Sequence, residues 1–293
     1  MKKGFTITEL IVAVGLLAAV LAASTMIFHY AIEAQRTAMA TAEIMRTMRA
    51  ITDQLNMDFA SLRNDGYLVL RSTNDSNDAI YFFSTGDFQS WTNSDVRSNI
   101  ARIYFGPAKN PKTDLLQDIK LLTPGASPPI PIDCCDANFT ACQSGIIANF
   151  EDPNKVLFVN RPDVNMAVDP NDARKILAQN VGSMRIEWTY GWFNPASPTP
   201  DKIVWWGFND IFSDDSGLQK LGGISVSPAE MATIASAIRE NKTLVPPQYY
   251  IVQWNPTNQQ YWPKALKFTF TLYDSKKILK TGRTFEYIVY ITK

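Results

Sequence analysis

Polarity along the chain follows one rule up to Gly66 and another after it. Leu10 to Ala23 is an unbroken apolar run, LIVAVGLLAAVLAA, and no Asp, Glu, Lys or Arg occurs from Leu10 to Ile32. At ~1.5 Å per residue, a helix over this stretch is long enough to cross a hydrocarbon layer of about 30 Å. Farther on, Ile44, Met48, Ile51, Leu55, Phe59 and Leu62 recur every three or four residues, which is one stripe of an amphipathic helix. Arg36, Glu43, Arg46, Arg49, Asp53 and Arg63 fall on its other faces. No proline precedes Pro107, and Asn64-Asp65-Gly66 is a stop signal. The pattern therefore predicts a single helix over 5–64, about 90 Å long. Its first half, 5–32, is membrane-spanning, and its second, 33–64, is amphipathic. Such a stripe suits either packing on a following domain or a coiled-coil seam; the β-rich region directly after it favours packing.

Beyond Gly66 the period becomes two. Leu266, Phe268, Phe270 and Leu272 alternate with Lys267, Thr269 and Thr271, the pattern of a half-buried strand. Further strands are predicted at 67–71, 79–84, 101–105, 119–122, 156–160, 184–190, 203–208, 249–254 and 284–291. One more helix, 227–241, is signalled by Ser227 as N-cap, Pro228 at the first turn and Glu230 completing a capping box. Two stretches read as insertions. Residues 110–152 hold five prolines and all the cysteines, and 194–200 reads NPASPTP. The expected fold is thus α+β: a long N-terminal helix packed on an antiparallel sheet that forms a head over 65–293.

Charge narrows the function classes. Lys+Arg and Asp+Glu both number 28, so the chain lacks the basic excess that nucleic-acid binding requires. A single histidine, His29, beside the apolar run removes most Ser-His-Asp, Cys-His and zinc arrangements, and it reads as a membrane-interface residue. No phosphate-binding loop or metal-hydrolase helix motif is present, so neither cofactor nor catalysis is expected; a Ser-Lys dyad is the remaining enzymatic option. Cys142 is placed to close a short loop with Cys134 or Cys135 in an oxidising compartment, and sequence leaves the pairing open. Two oxygen-rich turns, carrying Asp75 and Asp78 and then Asp214 and Asp215, are weak calcium candidates without an EF-hand register; a solvated loop is the simpler reading. Trp188, Tyr190, Trp192, Trp205 and Trp206 form an aromatic group that reads first as core and second as a binding surface.

The N-terminus is more specific. Lys2 and Lys3 precede the apolar run and favour a cytoplasmic start, which sends the head outside. A secretory signal would be cut after the run, near Ala22-Ala23-Ser24, and has no use for a carboxylate at Glu9, which is costly in hydrocarbon. Gly4-Phe5-Thr6-Ile7-Thr8-Glu9-Leu10, followed by the apolar stretch, resembles the processing motif of type IV pilins and type II secretion pseudopilins. The resemblance implies a leader over 1–4, cut by a prepilin peptidase between Gly4 and Phe5, with methylation of the new Phe5 amino group. It also implies that Glu9 neutralises a Phe5 ammonium, its own or a neighbour's, during subunit assembly.

Within the head, Ile176-Leu177-Ala178-Gln179-Asn180-Val181, Met184-Arg185-Ile186-Glu187-Trp188 with Trp192, Trp205 and Trp206, and the segment from Trp262 to Leu272 with Arg283 and Phe285 resemble J-type minor pseudopilins. That likeness implies a tip complex with I- and K-type partners that primes a secretion pseudopilus. Other major and minor subunits would bind through the stem, and an inner-membrane platform would act in trans. W-type minor pilins of type IV pili, which share the stem and an early helix ending near Gly66-Tyr67, are the alternative. Either way the expected location is the inner membrane, single pass, with a periplasmic head. A membrane-tethered binding protein or hydrolase is the remaining class.

Overall fold

The computed structural model describes residues 6–63, 66–73, 76–89, 97–109, 111–122, 131–133, 170–189, 203, 205–207, 242–245, 249–254 and 262–291. A single helix, α1 (Ile7–Ala60), opens the chain and runs about 80 Å at the standard rise. Thr6 is its N-cap, and Ser61 ends it, a few residues before the expected stop. The strands are β1 (Leu68–Thr73), β2 (Ala79–Gln89), β3 (Arg97–Pro107), β4 (Leu115–Leu122), β5 (Pro131–Asp133), β6 (Ile176–Ala178), β7 (Val181–Thr189), β8 (Lys242–Val245), β9 (Tyr249–Trp254), β10 (Ala265–Leu272) and β11 (Arg283–Tyr290). A 3-10 helix, Pro170–Lys175, precedes β6.

Two sheets form, where the alternation alone suggested one. The larger runs β5-β4-β3-β2-β1-β9-β8, with β6 also on β4; the smaller is β11-β10-β7. All pairings in both are antiparallel. Period two sorts residues by face but does not say which strand lies alongside, so sheet number is fixed only by tertiary packing. The α+β expectation holds: α1 packs against antiparallel sheets, and its stripe meets the head rather than a second helix.

The core lies where α1 meets both sheets. Ile44, Met48, Ile51, Leu55, Phe59 and Leu62 are all buried, together with Leu68, Leu70, Ile80, Phe82, Ile103 and Phe105 of the larger sheet and Met184, Ile186, Leu266, Phe268 and Phe270 of the smaller. Phe59 joins the three layers: its ring stacks on Phe82 at 4.4 Å between centroids and meets Phe268 edge-on at 5.8 Å. Each buried side chain of this size is worth about 1.5–3 kcal/mol of burial, so the seam holds the second half of α1 firmly to the head. The other face of the larger sheet is buried as well, through Val69, Tyr81, Phe83, Tyr104 and Leu116. This explains why 79–83 reads AIYFF with no polar interruption.

Several boundaries differ from expectation. Leu115–Leu122 lies inside the stretch read as an insertion, yet pairs along its length with β3 and is framework. Within 203–208, the described residues form isolated bridges instead of a strand; Trp206 pairs with Trp188 through backbone bonds of 2.8 and 2.9 Å. The predicted strand 156–160, the helix 227–241 and the insertion 194–200 lie outside the described residues.

Candidate assembly site on the helical stem

At its membrane end, α1 starts with a capping box. The Glu9 backbone N–H donates to Thr6 Oγ1 at 3.4 Å, while the Thr6 N–H and hydroxyl both donate to Glu9 Oε2, at 2.9 and 2.8 Å. Two of the backbone donors that a helix start leaves open are thereby satisfied locally. Glu9 Oε1 takes no partner among the described residues, so the side chain retains an open acceptor. Glu9 is also the one charged side chain of α1 before Glu33.

From Ile7 to Ile32 no residue of the helix is buried among the described residues. Leu10, Ile11, Val12, Leu16, Leu17 and Val20 are all more than half exposed, and because they are near neighbours in sequence they cover every face. A helix apolar all round needs a lipid or protein bundle around it. The segment is long and apolar enough to span a membrane, with none of that window buried. Thr25 hides its hydroxyl by donating to the Leu21 carbonyl at 2.8 Å, as a polar group in an apolar setting must. His29 and Tyr30 sit edge to face at 6.3 Å, exposed, just before Glu33.

Ala40 is the first buried residue of α1. From there the seam is supplemented by polar ties: Glu43 Oε1 accepts the Ser275 N–H at 3.0 Å, and Tyr287 donates its hydroxyl to Asn56 Oδ1 at 2.7 Å. Near the end of α1, Asp58 is buried and accepts from Gln54 Nε2 at 2.9 Å and Gln117 Nε2 at 2.6 Å. Burial pushes its carboxyl up to about 6 despite both amide donors. Sequence reading passed over this residue, although its position three after Leu55 and one before Phe59 puts a carboxylate on the buried face.

Other candidates fall elsewhere. Asp78, read as a weak calcium ligand, is fully buried and clamps the two sheets. Its Oδ1 accepts the Ser72 hydroxyl at 2.7 Å and its Oδ2 the Ile186 N–H at 2.8 Å. Its own N–H donates to the Met184 carbonyl at 3.0 Å. Asp75, Asp214, Asp215, Gly4, Phe5, Cys134, Cys135 and Cys142 lie outside the described residues. Of the aromatic group, Trp188 and Trp206 are buried in the core with Trp254 and Trp262, Trp188 meeting Trp254 edge-on at 5.7 Å. That places two of the five in packing instead of on a recognition surface. Trp205 is half-buried beneath Lys267, whose Nζ lies 5.1 Å from its ring and pairs with Glu187; Tyr190 and Trp192 lie outside the described residues.

Comparison of the chain with known families, curated proteins and solved structures gives no match. The geometry nevertheless identifies an architecture: one N-terminal helix, bare and apolar in its first half, packed in its second half on antiparallel sheets. The fold is pilin-like. In this arrangement the half-helix with its single carboxylate is left exposed among the described residues.

Proposed function

We propose that the chain is a minor subunit of a type IV pilus-like filament, and specifically of a type II secretion pseudopilus, where it acts in a J-type tip complex that primes assembly. The supporting observation is the division of α1: an apolar half left exposed among the described residues, bearing one charge, Glu9, at the end where a neighbour's amino terminus would enter. A carboxylate in an apolar bundle is stabilised only by a close cation, so it selects the register in which the Phe5 ammonium of an adjacent stem meets it. In this reading the prepilin peptidase cuts between Gly4 and Phe5, the head is periplasmic, the assembly platform acts in trans, and the chain performs no catalysis.

Two substitutions separate the charge of Glu9 from its capping role. Glu9→Gln keeps an acceptor for the Thr6 donors but removes the charge, whereas Glu9→Ala removes both. Both variants are expected to keep a folded head and to enter filaments at least about tenfold less well, the effect of losing ~1.4 kcal/mol. Wild-type incorporation of Glu9→Gln in a filament-assembly assay contradicts the pairing. Co-purification with I- and K-type partners, as against type IV pilus subunits, distinguishes secretion from a W-type pilus role.

A further inference from the structure

Although the whole chain is neutral, the hairpin joining β10 to β11 is not. Lys276, Lys277 and Lys280 are exposed on it, and exposed Arg283 follows as the first residue of β11. None of the four is ion-paired among the described residues. The hairpin's own carboxylate, Asp274, is buried and turned inward: Oδ2 accepts the Ile278 N–H at 2.8 Å and Oδ1 the Leu279 N–H at 3.0 Å. Glu43 beside it is engaged through Oε1 by the Ser275 N–H. Four cations less these two carboxylates leave the tip with a net charge of about +2, by count from the sequence.

The hairpin is built and aimed. Leu279 packs against the main core, and Lys277 adopts φ 51°, so the loop is held in one shape. Its direction follows from two contacts with α1. Tyr287, midway along β11, meets Asn56, whereas Ser275 in the hairpin meets Glu43, nearer the apolar half. The tip therefore points down the stem towards its apolar end. Glu43 lies about 21 Å along the helix axis beyond His29, the residue at the membrane interface. The headgroup layer occupies about 5–8 Å of that interval on each side of the bilayer. The remaining gap of about 13–16 Å is within two Debye lengths of about 8 Å each at physiological ionic strength, before the reach of a lysine side chain is counted.

We infer that this hairpin is a membrane-facing contact that binds the anionic phospholipid headgroups of the leaflet from which the stem emerges, setting how the head stands on the bilayer before the subunit is extracted into a filament. The inference rests on the stem crossing a membrane. Clustered basic side chains this close to a bilayer are drawn to anionic lipid and released by salt.

The test uses the full chain in nanodiscs of phosphatidylcholine alone or with about one third phosphatidylglycerol, a composition that gives a negative surface. Entry of the chain into both kinds of disc checks the membrane-spanning stem separately. Hydrogen exchange of the peptide spanning 275–282 is expected to slow several-fold in the anionic discs at low salt. The protection should vanish in high salt and in a Lys276→Gln/Lys277→Gln/Lys280→Gln variant whose near-ultraviolet circular dichroism matches wild type. Equal exchange in the two lipids overturns the inference. So does equal protection by inorganic phosphate added to phosphatidylcholine discs, which makes the loop a generic anion site. Protection that arises only on adding neighbouring subunits, whatever the lipid, overturns it in favour of a protein contact.

Discussion

Asp58 lies where an ionised group is least at home, on the buried face of α1 with two glutamine amides as donors. With its carboxyl raised to about 6, the folded protein holds a proton that the unfolded chain, near 3.8, has released. Asp58 therefore favours folding most below about pH 4, and this contribution is lost as pH rises through 6. Above that the ionised form is carried at a cost of about 3 kcal/mol, the free-energy equivalent of moving the carboxyl from 3.8 to about 6. Asp58→Asn retains an acceptor for Gln117 and removes the titration. Relative to this variant, wild-type stability measured by urea denaturation should fall by up to about 3 kcal/mol between pH 4 and pH 7. Parallel pH profiles for the two proteins would contradict the assignment. Asp78 shows the converse case: the same residue type, buried, is satisfied by a hydroxyl and a backbone N–H and acts as a clamp between sheets. Its neighbours Asn74 to Asn77 made it look like part of a solvated turn, because sequence shows the polar company of a residue and not its depth.

At the scale of elements, α1 works as two helices with one backbone. Its second half is fixed by the seam, and the cost of loosening that seam is calculable. Leu55 is fully buried in it, whereas Met45 is about half exposed (49%) on the same helix. Leu55→Ala should destabilise the head by about 2–5 kcal/mol through lost burial and a cavity. Met45→Ala should change it by no more than about 0.5 kcal/mol. Thermal melts followed by near-ultraviolet circular dichroism of the buried tryptophans would read both. Equal effects would mean that the seam does not carry the helix. The seam was fully legible in advance, since six apolar residues at three- and four-residue spacing have one face to bury. The strand 265–272 was legible for the same reason. The short strands β5, β6 and β8 were not: three or four residues are too few to establish a period. Leu115–Leu122 was half hidden by its setting in a proline-containing stretch, and the buried tryptophans by the capacity of that side chain to serve either core or surface.

For the molecule as a whole, the two regions answer to different solvents. The head is a water-facing body with its core sealed between α1 and two sheets. Among the described residues nothing covers the first half of α1, and a helix apolar all round is stable only in lipid or in an apolar bundle. Sequence patterning carried this division almost unaided, because a charge-free stretch from Leu10 to Ile32 followed by an amphipathic stripe admits few structures. How the sheets pair, and which polar groups lock them, depended on contacts between residues far apart in the chain. We propose that the stem is retained and freed of its leader at Phe5, leaving Glu9 close to a free amino terminus. Mass spectrometry of the protein purified from membranes tests this most directly. A mature chain beginning at N-methylated Phe5 is expected, and a chain beginning near Ser24, with the apolar half removed, would contradict it.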